Sequence, residues 1–147
     1  MRENVKLAEI LLVEDNPADI ELTRHVFETA GLCNTLRVAM NGRIAIEYIF
    51  NERRPDLILL DLNIPGLDGH EVMKALRDDE QAARIPIIVL TGGEIELEIA
   101  KRCGVQASQF IAKPLALNTL LNCVRALGFF KLGLICSKRP LPAVSLL

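Results

Sequence analysis

Apolar residues gather along this chain in short blocks separated by longer amphipathic stretches. EILLV (9–13), LILL (57–60) and IPIIVL (85–90) are almost wholly apolar and end at Asp, Thr or another turn-forming neighbour. Such blocks predict strands buried on both faces. TLRVA (35–39) and VQASQFIA (105–112) predict two more. Helical patterns lie between them. In Asn16-Pro17-Ala18-Asp19, Asn16 can cap a helix, Pro17 suits its first position, and Asp19 favours its positive end. That helix should run to about Ala30, where Gly31 stops it. Ile44, Tyr48 and Ile49 predict a second helix, and Val72, Met73 and Leu76 a third. Ile95, Ile99 and Cys103 share one face of a fourth, ended by Gly104. Leu117, Leu120, Leu121, Val124 and Leu127 form the clearest 3.6-residue stripe, a fifth helix. Strand then helix, five times over, predicts an α/β fold: a parallel sheet with helices on both faces and right-handed crossovers. In open sheets of this kind, ligands bind beyond the carboxyl ends of the strands.

The residues at those ends differ in kind and complement one another. Glu14-Asp15 follow the first strand and Asp61 the third. Thr91 follows the fourth, ahead of Gly92-Gly93, and Lys113-Pro114 follow the fifth. Each alone reads as a turn residue or a helix cap. Together they place three carboxylates, a hydroxyl and an ammonium on one rim. Crowded carboxylates repel one another and call for a cation. Hard oxygen ligands without His or thiolate suit Mg²⁺, which often shares its shell with a phosphoryl group. A carboxylate there can attack phosphorus and form an aspartyl phosphate. An ammonium and a metal would neutralise the charge on the transferring group. Asp61 is the expected nucleophile, held at the end of a rigid strand.

Composition removes other options. The chain has 147 residues, 50% hydrophobic and 24% charged, with a formal net charge of −2. Its basic pairs, Arg53-Arg54 and Lys138-Arg139, are too short for a general grip on a phosphate backbone, so no nucleic-acid partner is expected. Cys33, Cys103, Cys123 and Cys136 form no C-x-x-C pair, and metal-ligand spacing with the two histidines is absent. They read as reduced thiols of a cytoplasmic protein. No signal peptide or membrane-spanning run is expected.

The motifs LLVEDNPAD (11–19), LILLDLNIPGLDG (57–69), IPIIVLTG (85–92) and FIAKP (110–114) closely resemble the receiver domain of two-component response regulators. The spacings also fit: 30 residues from Asp61 to Thr91 and 22 from Thr91 to Lys113. The match covers about residues 8–128, within a receiver domain expected over 1–128. The resemblance implies a flavodoxin-like (βα)5 fold, a doubly wound five-stranded sheet in the order 2-1-3-4-5. It makes Asp61 the phosphoacceptor. Asp15 would bind Mg²⁺ directly, Glu14 would help, often through water, and Asn63 would offer its backbone carbonyl. Lys113 would pair with a phosphoryl oxygen. Thr91 would shift to hydrogen-bond the phosphoryl group, with Phe110 following into the space vacated. Phe110 stands where relatives often carry Tyr or His and equally suits a plain core role. The donor would be a phosphohistidine on a sensor histidine kinase. VEDNPAD and DLNIPGLDG look like the small receivers that partner bacterial phytochromes and similar kinases. Ala116 departs from the family where many members have a capping Asp or Ser, unless Asn118 caps a shorter helix. Gly93, two past Thr91, occupies a variable position expected to influence access to the phosphoryl group.

About 20 residues follow the last predicted helix, too few for a DNA-binding domain. Output would then come from the receiver surface. The tail over 129–147 is apolar, with Phe129, Phe130, Leu132, Leu134, Ile135 and Leu146-Leu147. It suits either folding back on its own domain or packing across a partner or second copy, giving a homodimer through the last helices and tail. Membrane contact is disfavoured by the short, weakly basic FFKLGLIC run. His25 and His70 are expected on the surface, since relay histidines sit on helical bundles. Two other functions compete. One is a Mg²⁺-dependent phosphohydrolase with an aspartyl nucleophile, but Asp61-Leu62-Asn63 lacks the second Asp such enzymes use as general acid. The other is a degenerate receiver, a binding module that never takes phosphate. The complete set of Glu14, Asp15, Asp61, Thr91 and Lys113 argues against it.

Overall fold

The computed structural model describes residues 8–30, 34–52, 54–62, 69–102, 109–126 and 144–146. Five strands and five helices alternate: β1 (Ala8–Val13), α1 (Pro17–Ala30), β2 (Asn34–Ala39), α2 (Gly42–Asn51), β3 (Leu57–Asp61), α3 (Gly69–Asp78), β4 (Ile87–Thr91), α4 (Glu94–Arg102), β5 (Gln109–Ala112) and α5 (Leu117–Ala126). A short 3₁₀ turn, Ala82–Arg84, precedes β4. All ladders are parallel, and the five strands stand in the expected order, 2-1-3-4-5.

A sixth strand adds to the five expected. Val144–Leu146 form β6, parallel to β2 with Arg37 opposite Val144 and Ala39 opposite Leu146. The end of the apolar tail thus folds back on its own domain and gives its backbone groups partners at the β2 edge. Residues 127–143, including Leu127 and Phe129 to Ile135, lie outside the described residues, as do Cys33, Cys103 and Gly104.

Strand alternation divides the core between two faces. Ile10 and Leu12, Leu57 and Leu59, Ile88 and Leu90 pack with Phe27 of α1 and Leu120 of α5. Leu11 and Val13, Ile58 and Leu60, Ile87 and Val89 pack with Tyr48 and Ile49 of α2 and Val72 and Leu76 of α3. The fully apolar runs are therefore required by the architecture, since both faces of β1, β3 and β4 are covered. Cys123 of α5 is a buried free thiol.

The helix starts follow side-chain chemistry. Asn16 Oδ1 accepts from the N–H groups of Ala18 (2.8 Å) and Asp19 (3.3 Å), with Pro17 as the first helical residue. Asn41 caps α2 in the same way, accepting from Ile44 N at 2.8 Å. Asn41→Ala should cost about 1 kcal/mol of stability, read as a lowered urea midpoint at unchanged slope. Helix α5 begins at Leu117 with Ala116 ahead of it, so Asn118 sits inside the first turn and caps no shorter helix.

The expected inner face of α4 needs revision. Ile95 is 78% exposed, whereas Ala100 is buried and Leu97 half-buried. Ile95 precedes Leu97 by two residues and so stands roughly 200° around the helix from it.

Candidate functional site

The carboxyl ends of β1, β3 and β5 carry the site. Glu14 follows β1, and its N–H still bonds Ala39 O at 3.0 Å, so it continues the strand's alternation on the Ile10–Leu12 side. Asp61, the last residue of β3, falls on the same side as Leu57 and Leu59. Lys113 follows β5, its N–H bonding Thr91 O at 2.7 Å, and falls on the side of Ile111. All three therefore belong to the sheet face that α1 and α5 cover. Three short backbone extensions bring distant residues to one point without any long loop.

There, carboxylate oxygens of Glu14, Asp15 and Asp61 all lie within 4.8 Å of one another. Glu14 and Asp61 are buried, while Asp15 is partly open to solvent. Lys113 Nζ lies 2.8 Å from Glu14 Oε1 and 3.0 Å from Asp61 Oδ2. The Glu14 contact is a close charge pair outside hydrogen-bonding geometry, which leaves that oxygen's acceptor capacity free. Burial pushes the Glu14 carboxyl up to about 7, helped by a hydrogen bond and charge from Asp61 and opposed by Lys113. Burial pulls the Lys113 ammonium down, but Glu14, Asp19 and Asp61 outweigh this and hold it well above its ordinary value.

This donor set fits a hard divalent cation. It offers oxygens only, from three acidic side chains, one with an oxygen that lacks a hydrogen-bond partner. Glu14, Asp15 and Asp61 can hold such an ion. Asn63 lies outside the described residues, so its carbonyl has no place in this geometry.

Thr91 and Phe110 occupy the opposite side of the sheet. Thr91 is buried, follows Val89 in alternation, and donates from Oγ1 to Gly93 O at 3.3 Å. Phe110 stands opposite Val89 in the β4–β5 register and packs, half-buried, on the same cluster. The two therefore share a face, as a packing link between them requires. Lys101 of α4 lies over the Phe110 ring, 5.6 Å from its centroid.

The glycines after Asp61 have a steric role at one point. Gly69 N–H bonds Leu62 O at 3.1 Å, and a Cβ at residue 69 would lie 2.5 Å from Leu62 Cα. Backbone meets backbone there, so only glycine lets α3 begin against the residue next to Asp61. Gly93 has open space around it.

One site residue escaped the sequence reading. Asp19, assigned only to the helix end, bonds Lys113 Nζ through Oδ2 at 2.9 Å. No local signal marked it, since its partner lies 94 residues away in the chain. His25 is exposed on α1, beside Thr29.

Known proteins resemble this chain in sequence and fold. Residues 10–125 match the response regulator receiver domain family. Response regulator Rcp1 from Synechocystis sp. is 33% identical over 127 residues, 82% of this chain and 86% of Rcp1. The solved bacteriophytochrome response regulator RtBRR superposes with a TM-score of 0.80 at 30% identity, over 91% of this chain and 84% of RtBRR. The phosphorylated cyanobacterial phytochrome response regulator RcpA gives 0.67 at 33% identity, over 84% and 93%. The Mn²⁺-bound form of Rcp1 gives 0.67 at 31%, over 88% and 97%. With the strand order, the acidic cluster and the family match in agreement, the chain belongs to the response regulator receiver domains of two-component systems.

Proposed function

We propose that this protein is a signalling switch that takes a phosphoryl group onto Asp61 from a phosphohistidine of a sensor histidine kinase. The convergence of Asp61 with Glu14, Asp15 and Lys113 carries this reading. As an Asp61 carboxylate oxygen bonds to phosphorus, the P–N bond to the donor imidazole breaks, and the imidazole leaves with the bonding pair. Glu14, Asp15 and Asp61, with the Asn63 carbonyl that the family resemblance implies, would hold a divalent cation, which would supply countercharge for the phosphoryl oxygens. Lys113 pairs with one of those oxygens. Thr91 then turns toward the phosphoryl group, and Phe110, having no hydroxyl, follows by packing alone. Hydrolysis resets the switch.

The partners named for RtBRR and RcpA favour a phytochrome-type kinase as donor. Output then runs through the receiver surface, in the cytoplasm. Among the described residues no helix is long and apolar enough to cross a membrane.

A small phosphodonor with Mg²⁺ separates the switch from a hydrolase. Acid-stable intact mass should show label reaching at most one phosphoryl group per chain, lost at the rate that free phosphate appears. Steady release of phosphate from aryl phosphomonoesters, with no protein-bound label, would overturn the reading.

A further inference from the structure

Three carboxylates surround one ammonium. Lys113 Nζ lies within 3.0 Å of oxygens on Glu14, Asp19 and Asp61. Its hydrogen bonds go to Asp19 and Asp61, the Glu14 contact being a charge pair alone, so an arriving phosphoryl oxygen competes with these carboxylates for the ammonium. The three are unequal. The side chains of Glu14 and Asp61 are 1% and 8% exposed, whereas that of Asp19 is 32% exposed. Releasing Asp19 leaves a carboxylate that water can resolvate; releasing Glu14 or Asp61 strands a charge in the interior. Asp19 also stands outside the trio whose oxygens cluster for a cation. It sits in the first turn of α1, and a crevice lined by Glu14, Asp19, Thr23, Lys113 and Leu115 gives the lysine end a place beside it.

We propose that Asp19 is a positioning residue whose carboxylate competes with the phosphoryl oxygen for the Lys113 ammonium and lets go as Asp61 is loaded. The inference rests on Asp61 being the phosphoacceptor. It assigns Asp19 a restraining role: loss of the carboxylate should strengthen phosphoryl binding. A residue that merely braced the lysine would have the opposite effect when removed.

Beryllofluoride, a phosphoryl mimic, tests this in saturating Mg²⁺, with affinity read from the change in amide NMR shifts. Asp19→Asn should tighten binding about fivefold, within the range a part-exposed ion pair carries. Asp19→Glu should stay within about twofold of wild type, since the charge can still reach. Glu21→Gln, on the same helix and paired with Arg24, should change nothing. In a Lys113→Met background Asp19→Asn should lose its effect. Unchanged or weakened binding in Asp19→Asn overturns the proposal, as does equal tightening with and without Lys113, which would mean simple charge removal. Asp19→Ala repeats the test if Asn disturbs the fold. Absence of any beryllofluoride response in the wild type would overturn the phosphoacceptor reading itself, and the proposal with it.

Discussion

Asp61→Asn should abolish phosphoryl labelling, lowering its rate by at least on the order of 10³-fold, if Asp61 is the covalent nucleophile proposed above. The amide keeps the shape of the carboxylate but offers no anionic oxygen to phosphorus. The fold should survive. Lys113 keeps Glu14 and Asp19 as partners, and Glu14 loses the neighbour whose hydrogen bond and charge hold its proton on. Metal-free Asp61→Asn should therefore melt no earlier than wild type near neutral pH, since one of the crowded negative charges is gone. Label and thermal unfolding measured on the same sample make the two effects separable. Full labelling in the variant would place the acceptor elsewhere and remove the basis of the switch.

Mg²⁺ affinity should rise steeply with pH. The Glu14 carboxyl is pushed up to about 7 in the metal-free protein, so below that pH it carries a proton that a cation must displace. With one proton exchanged, apparent affinity should fall roughly 30-fold between pH 8 and pH 5.5, with little further gain above about pH 8. Calorimetric titration in buffers of different ionisation enthalpy gives both the affinity and the proton released. Glu14→Gln should flatten the dependence while weakening binding. The same group sets a stability trend. Its folded value lies above the ordinary 4.5, so its contribution favours the fold below about 4.5 and is lost as pH rises through about 7. The thermal stabilisation given by Mg²⁺ should accordingly be larger at pH 8 than at pH 6. A pH-independent affinity over this range would mean that Glu14 is already ionised without metal.

What the sequence disclosed followed from how local its signals were. The blocks at 9–13 and 57–60 announced buried strands because both faces of β1 and β3 are covered, and the polar residues closing them marked the rim. Asn16 and Pro17 announced α1 because a cap acts within one turn. Asp19 was misjudged for the complementary reason. Its helix-end role is visible over four residues, whereas its bond to Lys113 spans 94 and depends on α1 lying over the end of β5. Ile95 was misassigned because Ile95, Leu97 and Ile99 recur at every second position, a spacing that marks no single face of a helix. Strand β6 gave no signal of its own: three residues are too few for a period, and their pairing is fixed by the β2 edge they meet.

That strand also alters what a neighbouring molecule would find. Without it, the outer side of Arg37 to Ala39 would present open backbone donors and acceptors, a template on which extended chains could stack into aggregates. With it, the edge groups of Arg37 to Ala39 are paired by a strand of three residues, itself too short to seed such growth. Val144 to Leu146 thus shield part of the sheet margin farthest from β5 against edge-to-edge stacking.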